Sequence, residues 1–146
     1  MGLVVLGMGM AQLASGYAIR HQFPRPGGEA LLYQSLMPGL AEELFFRGVL
    51  LGLLNRVFPR TIPFLGTRTS WGGVVGVVLF VLGHCLSFTH PLMLIPTAHF
   101  SLGRVADKFL FGTLFLWVRE RSGSCWAAIA THNLANVCLV LGQMLH

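Results

Sequence analysis

Two carboxylates and a guanidinium interrupt a long apolar run in this 146-residue chain. They belong to Glu42, Glu43 and Arg47, in a stretch that is otherwise apolar from Leu36 to Leu54. An ionised side chain at membrane depth is costly, so such residues usually serve a function and have a partner. One arginine neutralises only one glutamate, so the second carboxylate requires a proton, a bound cation or a histidine nearby. The chemistry that this allows is proton transfer from water, because desolvation favours the neutral form of a carboxyl group.

The spacing within this stretch predicts that the two glutamates lie on different faces of a helix. Glu43 and Arg47 are four residues apart in the favourable order, so they share a helix face and are predicted to pair. Glu42 is turned away by about 100°. Pro38 and Gly39 predict a kink or a helix restart just before the pair. Both carboxylates would then lie near a helix start, where the macrodipole favours negative charge.

Two histidines in other apolar runs are the candidate partners of the spare carboxylate. One run carries a stripe with a spacing of four residues, Gly72, Gly76, Phe80 and His84. Small residues permit close helix approach, so His84 is predicted to face a neighbouring helix. In the last run His132 and Asn136 are four residues apart and can address one point, whereas the offset of Asn133 predicts helix packing. The alternative for each histidine is a hydrogen bond between helices without chemistry.

The composition predicts a membrane protein. The chain is 54% hydrophobic and 10% charged, with a mean hydropathy of +0.69, whereas soluble domains carry about 25% charged residues. We expect an all-α, polytopic transmembrane bundle with one membrane domain over residues 1–146. The net charge of +5 comes from arginines and lysines that mostly flank the apolar runs, which indicates membrane-surface anchors and no nucleic-acid partner. The predicted spans are about Leu3 to Ile19, Ala30 to Leu54, Gly72 to Phe88, Val105 to Val118 and Cys125 to Leu145.

The remaining features predict packing and connections. A loop is expected from Arg56 to Ser70, which holds two prolines and three arginines. The stretch from His90 to Arg104 favours a re-entrant or interfacial segment. Small residues at intervals of four on the first span, Gly7, Ala11 and Ser15, predict a packing face. The histidines at run ends, His21, His90, His99 and His146, are read as interfacial, and the cysteines, Cys85, Cys125 and Cys138, as packing residues.

The polar residues occur in an order that resembles the CPBP family. This family, also called the ABI family, groups type II CAAX prenyl endopeptidases with bacteriocin-processing and immunity proteins. The motifs are Glu42-Glu43-x-x-x-Arg47, Phe80-x-x-x-His84 and His132-x-x-x-Asn136. The flanking Glu-Glu-Leu-Phe-Phe-Arg-Gly-Val-Leu and the Gly-Ser-Cys-Trp-Ala-Ala-Ile-Ala before the last histidine also resemble family context. The resemblance covers about residues 38–140 and implies seven or eight helices, so we expect the N-terminal part of the family fold to be abbreviated or missing here.

The resemblance implies a role for each motif residue. Glu42 would be the general base that activates a water, and His84 would help to hold that water. His132 and Asn136 would stabilise the oxyanion that forms on the attacked peptide carbonyl. The expected activity is that of an intramembrane endopeptidase. We expect a multi-pass protein of a bacterial plasma membrane. Its substrate would be a peptide or protein, either prenylated or unprenylated. The supporting positions would be Glu43 and Arg47.

Metal dependence and two other functions are left open by the sequence. Glu42, His84 and His132 can offer zinc three ligands with an open fourth position. The chain has no His-Glu-x-x-His helix, however, and a glutamate-activated water without metal explains the same residues and is preferred. A non-catalytic immunity or scaffold protein would use the polar cluster to bind a partner. A small transporter would use it as a proton or ion relay.

Overall fold

The computed structural model describes residues 1–90, 95–98 and 100–145, with backbone alone for residues 87–90 and 95–98. The described chain is mostly helical. Apolar runs bounded by Pro, Gly and Arg form the long helices, close to the predicted spans. The elements are α1 (Gly2–Ile19), a 3₁₀ turn (Arg20–Gln22), α2 (Gly28–Glu43), a π-helix (Leu44–Leu50), α3 (Leu51–Val57), β1 (Thr61–Phe64), β2 (Thr67–Ser70), α4 (Trp71–Cys85), β3 (Leu86–His90), β4 (Ile95–Ala98), α5 (Leu102–Ser122) and α6 (Cys125–Met144).

Two helices, at residues 2–22 and 125–144, are long and apolar enough to cross a membrane. The helix at residues 71–85 is apolar but shorter. The predicted count of five spans stays a prediction. The chain folds into two compact units. In unit 1, residues 1–45 and 124–146, both α1 and α2 pack on α6. In unit 2, residues 46–123, α4 packs on α3 and α5, and β2 contacts α4 and α5.

Close approach of α1 and α6 in unit 1 depends on two glycines. A Cβ atom at Gly16 would collide with the carbonyl oxygen of Leu139, and one at Gly142 with that of Leu13. The prediction of a packing face through Gly7 was wrong, because a Cβ at that position would have no atom within 4 Å. The face of α1 that contacts α6 is therefore offset from the predicted stripe of Gly7, Ala11 and Ser15.

Alanine substitutions at two glycines of α1 should shift stability in opposite directions. Gly16→Ala is expected to destabilise the protein by about 2 kcal/mol, because the added methyl group meets backbone that has little room to move. Gly7→Ala, the matched control on the exposed side of the same helix, should stabilise it by roughly 0.5–1 kcal/mol. Thermal unfolding in detergent measures both. Equal melting temperatures for the two variants would contradict this packing.

The glycine stripe of α4 makes the predicted close contact in unit 2. A Cβ atom at Gly72 would lie 2.8 Å from the carbonyl carbon of Leu54 in α3. On the α5 side, a Cβ at Gly112 would lie 3.0 Å from the ring of Phe80. The prediction that small residues bring α4 against a neighbouring helix is therefore confirmed. The buried apolar cluster around this contact includes Leu51, Val77 and Leu116, with Phe64 packed against it.

Part of the predicted loop from residue 56 to 70 folds as a β-hairpin. Leu65 and Gly66 connect β1 to β2 with φ angles of 45° and 76°, which suits a two-residue turn between twisted strands. The Trp117 indole nitrogen donates to the Leu65 carbonyl at 2.9 Å, and Arg121 donates to the Gly66 carbonyl at 3.3 Å. These bonds hold the turn against the end of α5.

The segment after α4 departs from the sequence prediction. The helix ends at Cys85 and not at Phe88, because Leu86–His90 pairs as β3 with β4 in an antiparallel hairpin. Thr and aromatic residues favour such a strand. The predicted re-entrant segment lies partly outside the described residues, which omit 91–94 and 99. The described helices agree with the all-α prediction, and two short hairpins are added to it.

Candidate active site

The acidic pair lies inside a continuous helical stretch, so the helix does not restart before it, and the alternative of a kink at Pro38 stays a prediction. α2 runs through Pro38 to Glu43, and the π-helix follows at once. Glu42 and Glu43 therefore receive no support from a helix start, and their stabilisation must come from neighbouring groups. π-helical turns are rare and are frequently found at functional sites.

Asn133 of α6 supports α2 on both sides of the proline. Its Oδ1 accepts a hydrogen bond from the Gly39 backbone N–H at 2.8 Å, and its Nδ2 donates to the Leu36 carbonyl at 3.2 Å. Neighbouring helices can satisfy the backbone groups that a proline disturbs within a helix. The continuation of α2 through Pro38 is explained in part by this amide. The sequence offset predicted only helix packing for Asn133, so its specific role was missed.

Glu43 and His132 form a buried pair within unit 1. His132 Nδ1 lies 2.8 Å from Glu43 Oε1, and the side chains are 8% and 0% exposed. The Cys125 thiol also donates to the Glu43 backbone carbonyl at 3.3 Å. The end of α2 is thus fixed to α6 through both the side chain and the backbone of Glu43.

This contact determines which nitrogen of His132 is available for chemistry. When Glu43 is ionised, its carboxylate only accepts hydrogen bonds, so Nδ1 of His132 carries the hydrogen and donates to it. Nε2 is the second nitrogen of the ring, and it donates as well when the imidazole is protonated. Asn136 lies one turn further along α6 and is partly buried. The spacing thus places both side chains on one face of α6.

Glu42, the predicted general base, is partly buried one residue before Glu43. The sequence made Glu42 the spare carboxylate, with His84 and His132 as its candidate partners, whereas the carboxylate that bonds to His132 is that of Glu43. The approach of Glu42 to the two histidines and the pairing of Glu43 with Arg47 stay predictions.

His84 has a fixed ring orientation in unit 2. Its Nδ1 lies 2.8 Å from the Phe80 carbonyl oxygen, and the centroids of the two rings are 4.3 Å apart. A carbonyl only accepts, so Nδ1 carries the hydrogen. In the neutral imidazole Nε2 is then an acceptor, which is the form that can hold a water hydrogen.

Arg47 is buried among aromatic rings in the same unit. Its side chain is 3% exposed and donates to the Gly112 carbonyl at 2.8 Å. The guanidinium carbon lies 4.5 Å from the ring centroid of Phe80 and 5.7 Å from those of Phe46 and Phe115. Such contacts stabilise a desolvated cation. Arg47 thereby joins the π-helix to α4 and α5.

The described residues were compared with the ligand set that a metal ion needs. Among them, no three His, Cys, Asp or Glu side chains come together as a possible ligand set. His99 and His146, read as interfacial from the sequence, lie outside the described residues. Cys85 is fully buried and Cys138 faces Gly9, in agreement with packing roles.

The helices and their buried polar residues define a class of helical membrane proteins with ionisable groups between helices. Residues 29–138 match the family described as type II CAAX prenyl endopeptidase, Rce1-like. The chain therefore belongs to this family of membrane-embedded peptidases, and the resemblance drawn from the motifs is confirmed. The matched range spans all seven motif residues. Comparisons with characterised proteins and with solved structures found no match.

Proposed function

We propose that this protein is an intramembrane endopeptidase of the CAAX prenyl protease type that hydrolyses a peptide bond with a glutamate-activated water. The observation that supports this best is the buried Glu43–His132 hydrogen bond of 2.8 Å. A carboxylate that bonds to one imidazole nitrogen fixes the ring, so that the other nitrogen can be directed at a substrate, as in other hydrolases.

The proposed reaction assigns the water to Glu42 and His84. Glu42 takes one proton from the water, while His84 Nε2 accepts a hydrogen bond from the O–H that remains. The resulting hydroxide attacks the peptide carbonyl carbon, and the carbonyl oxygen becomes an oxyanion. When this tetrahedral species collapses, the C–N bond breaks and Glu42 returns its proton to the leaving amine.

The proposed oxyanion site consists of His132 and Asn136. His132 donates with Nδ1 to Glu43 and with Nε2 to the oxyanion, and Asn136 donates with its side-chain amide. Fixed donors stabilise developing charge without reorganisation, which is often the largest catalytic term. The buried Glu43 carboxylate holds the ring for this purpose.

The substrate is a peptide or protein, prenylated or not, that meets the site at the membrane surface. We infer that this chain is a multi-pass protein of a bacterial plasma membrane, with lipid around its exposed apolar residues. Cleavage of prenylated and unprenylated peptides by the protein in detergent tests the activity. Hydrolysis of at least one set is expected, and binding without hydrolysis of either would identify a non-catalytic member of the family.

Chelation should leave the activity unchanged. Because the proposed mechanism activates water with a glutamate and uses no metal, cleavage after treatment with EDTA or 1,10-phenanthroline is expected to equal that of the untreated enzyme. A zinc peptidase, assayed in the same detergent, is the control that must lose activity. Inactivation by the chelator that added zinc reverses would contradict the water mechanism proposed here.

A further inference from the structure

The contact between α2 and α6 is closest one turn before the acidic pair. A Cβ atom at Gly39 would lie 2.8 Å from the Ile129 carbonyl oxygen and would collide with the Asn133 amide. Gly39 and Glu43 are four residues apart and so lie on the same face of α2. This face also carries the carboxylate that reaches His132.

Each member of the buried Glu43–His132 pair is thus close in sequence to one residue of this contact. Glu43 lies one turn after Gly39, and His132 is adjacent to Asn133. Asn133 follows His132 directly on α6, and its amide bonds to the backbone of α2 at Leu36 and Gly39. Loss of that amide would remove the hydrogen bonds that hold α2 to α6 around the proline. The end of α2, and Glu43 with it, could then shift relative to His132.

We propose that Asn133 is a positioning residue that sets the distance between Glu43 and His132, and through it the orientation of the His132 ring. This inference rests on the proposed function, in which His132 Nε2 faces the oxyanion. Asn133 itself touches neither the substrate nor the reacting atoms. Its effect therefore belongs in the chemical step and not in substrate binding.

Kinetics of Asn133→Ala give the first test. A displacement of a catalytic group by about 1 Å can cost on the order of 100-fold in rate, so kcat should fall by roughly 10- to 100-fold with KM within about twofold. Gly39→Ala disturbs the same contact from the other helix and should have the same effect. Asn133→Ala removes side-chain atoms and Gly39→Ala adds a methyl group. The two variants therefore change the packing volume in opposite directions, and a shared effect on kcat would not come from the same packing defect.

Thr131→Val is the matched control. Thr131 also lies beside His132 on α6 and is buried, but its hydroxyl donates to the Ala127 carbonyl within the same helix. This substitution keeps the size of the side chain and leaves α2 untouched. Its kcat should stay within about twofold of wild type, since no group that positions the pair is moved.

The Nδ1-bound proton of His132 provides a readout that does not depend on cleavage. Protein labelled with ¹⁵N-histidine in detergent micelles should show this resonance, assigned by its absence in His132→Gln. We expect it to shift or broaden in Asn133→Ala and Gly39→Ala and to be unchanged in Thr131→Val. If the wild-type protein cleaves no peptide, the proposed function fails, and this resonance alone decides the positioning role.

Two results would overturn the inference. One is an unchanged His132 resonance in both Asn133→Ala and Gly39→Ala. The other is wild-type kcat in variants with a lowered melting temperature, which would assign Asn133 to stability alone.

Discussion

Glu42→Gln is expected to lower kcat by about 10²- to 10⁴-fold, the usual contribution of a general base. The amide has nearly the same shape as the carboxylate but cannot take a proton from water. KM should change little, because the proposed role of Glu42 lies in the chemical step. Rates of peptide cleavage under single-turnover conditions measure the effect.

The pH profile separates Glu42 from its neighbour. An essential base produces a fall in kcat/KM towards acid pH, so Glu42→Gln should lose this acid limb while Glu43→Gln keeps it. Glu29→Gln, an exposed position in the first turn of α2, is the matched control and should keep both rate and profile. If Glu43→Gln loses the acid limb and Glu42→Gln retains it, the roles of the two carboxylates must be exchanged.

His132→Gln is expected to lower kcat by about 10²- to 10³-fold, the cost of removing one oxyanion donor. The same substitution removes the group that bonds to Glu43 Oε1, and breaking a buried pair of this kind costs roughly 3 kcal/mol of stability. His21→Gln, at an exposed position of the 3₁₀ turn, is the matched control and should change neither quantity.

The double variant Glu43→Gln/His132→Gln distinguishes the catalytic loss from the structural one. Two neutral amides can bond to each other without a buried charge, so thermal stability should recover towards wild type while cleavage stays low. Recovery of cleavage together with stability would show that His132 only holds the helices together. The oxyanion role would then be withdrawn.

The sequence alone determined the class of protein and supplied the candidate residues of its site. Apolar runs bounded by Pro, Gly and Arg define their own helices, and α1 and α6 agree with the prediction within one residue at each end. Charged residues in such runs are conspicuous because burial is costly. Their order along the chain was enough to predict a family that residues 29–138 match.

The β1–β2 hairpin and the continuation of α2 through Pro38 were not predicted, because both depend on contacts with residues distant in sequence. The hairpin of β1 and β2 is held by Trp117 and Arg121, more than 50 residues away. The continuation of α2 through Pro38 depends in part on Asn133, because a proline inside a helix needs groups from a neighbour. Local propensity predicted a loop where the hairpin forms, and a kink or helix restart at the proline.

The choice of which glutamate contacts His132 also belongs to the tertiary structure. Adjacent helix positions differ by about 100° in direction, so the sequence offers two carboxylates on two faces without saying which face meets α6. The close approach of α2 at Gly39 selects the face that carries Glu43, because only a residue without a Cβ fits against the Ile129 carbonyl. The sequence thus supplied the charged groups, and helix packing decided that Glu43 is bound to His132.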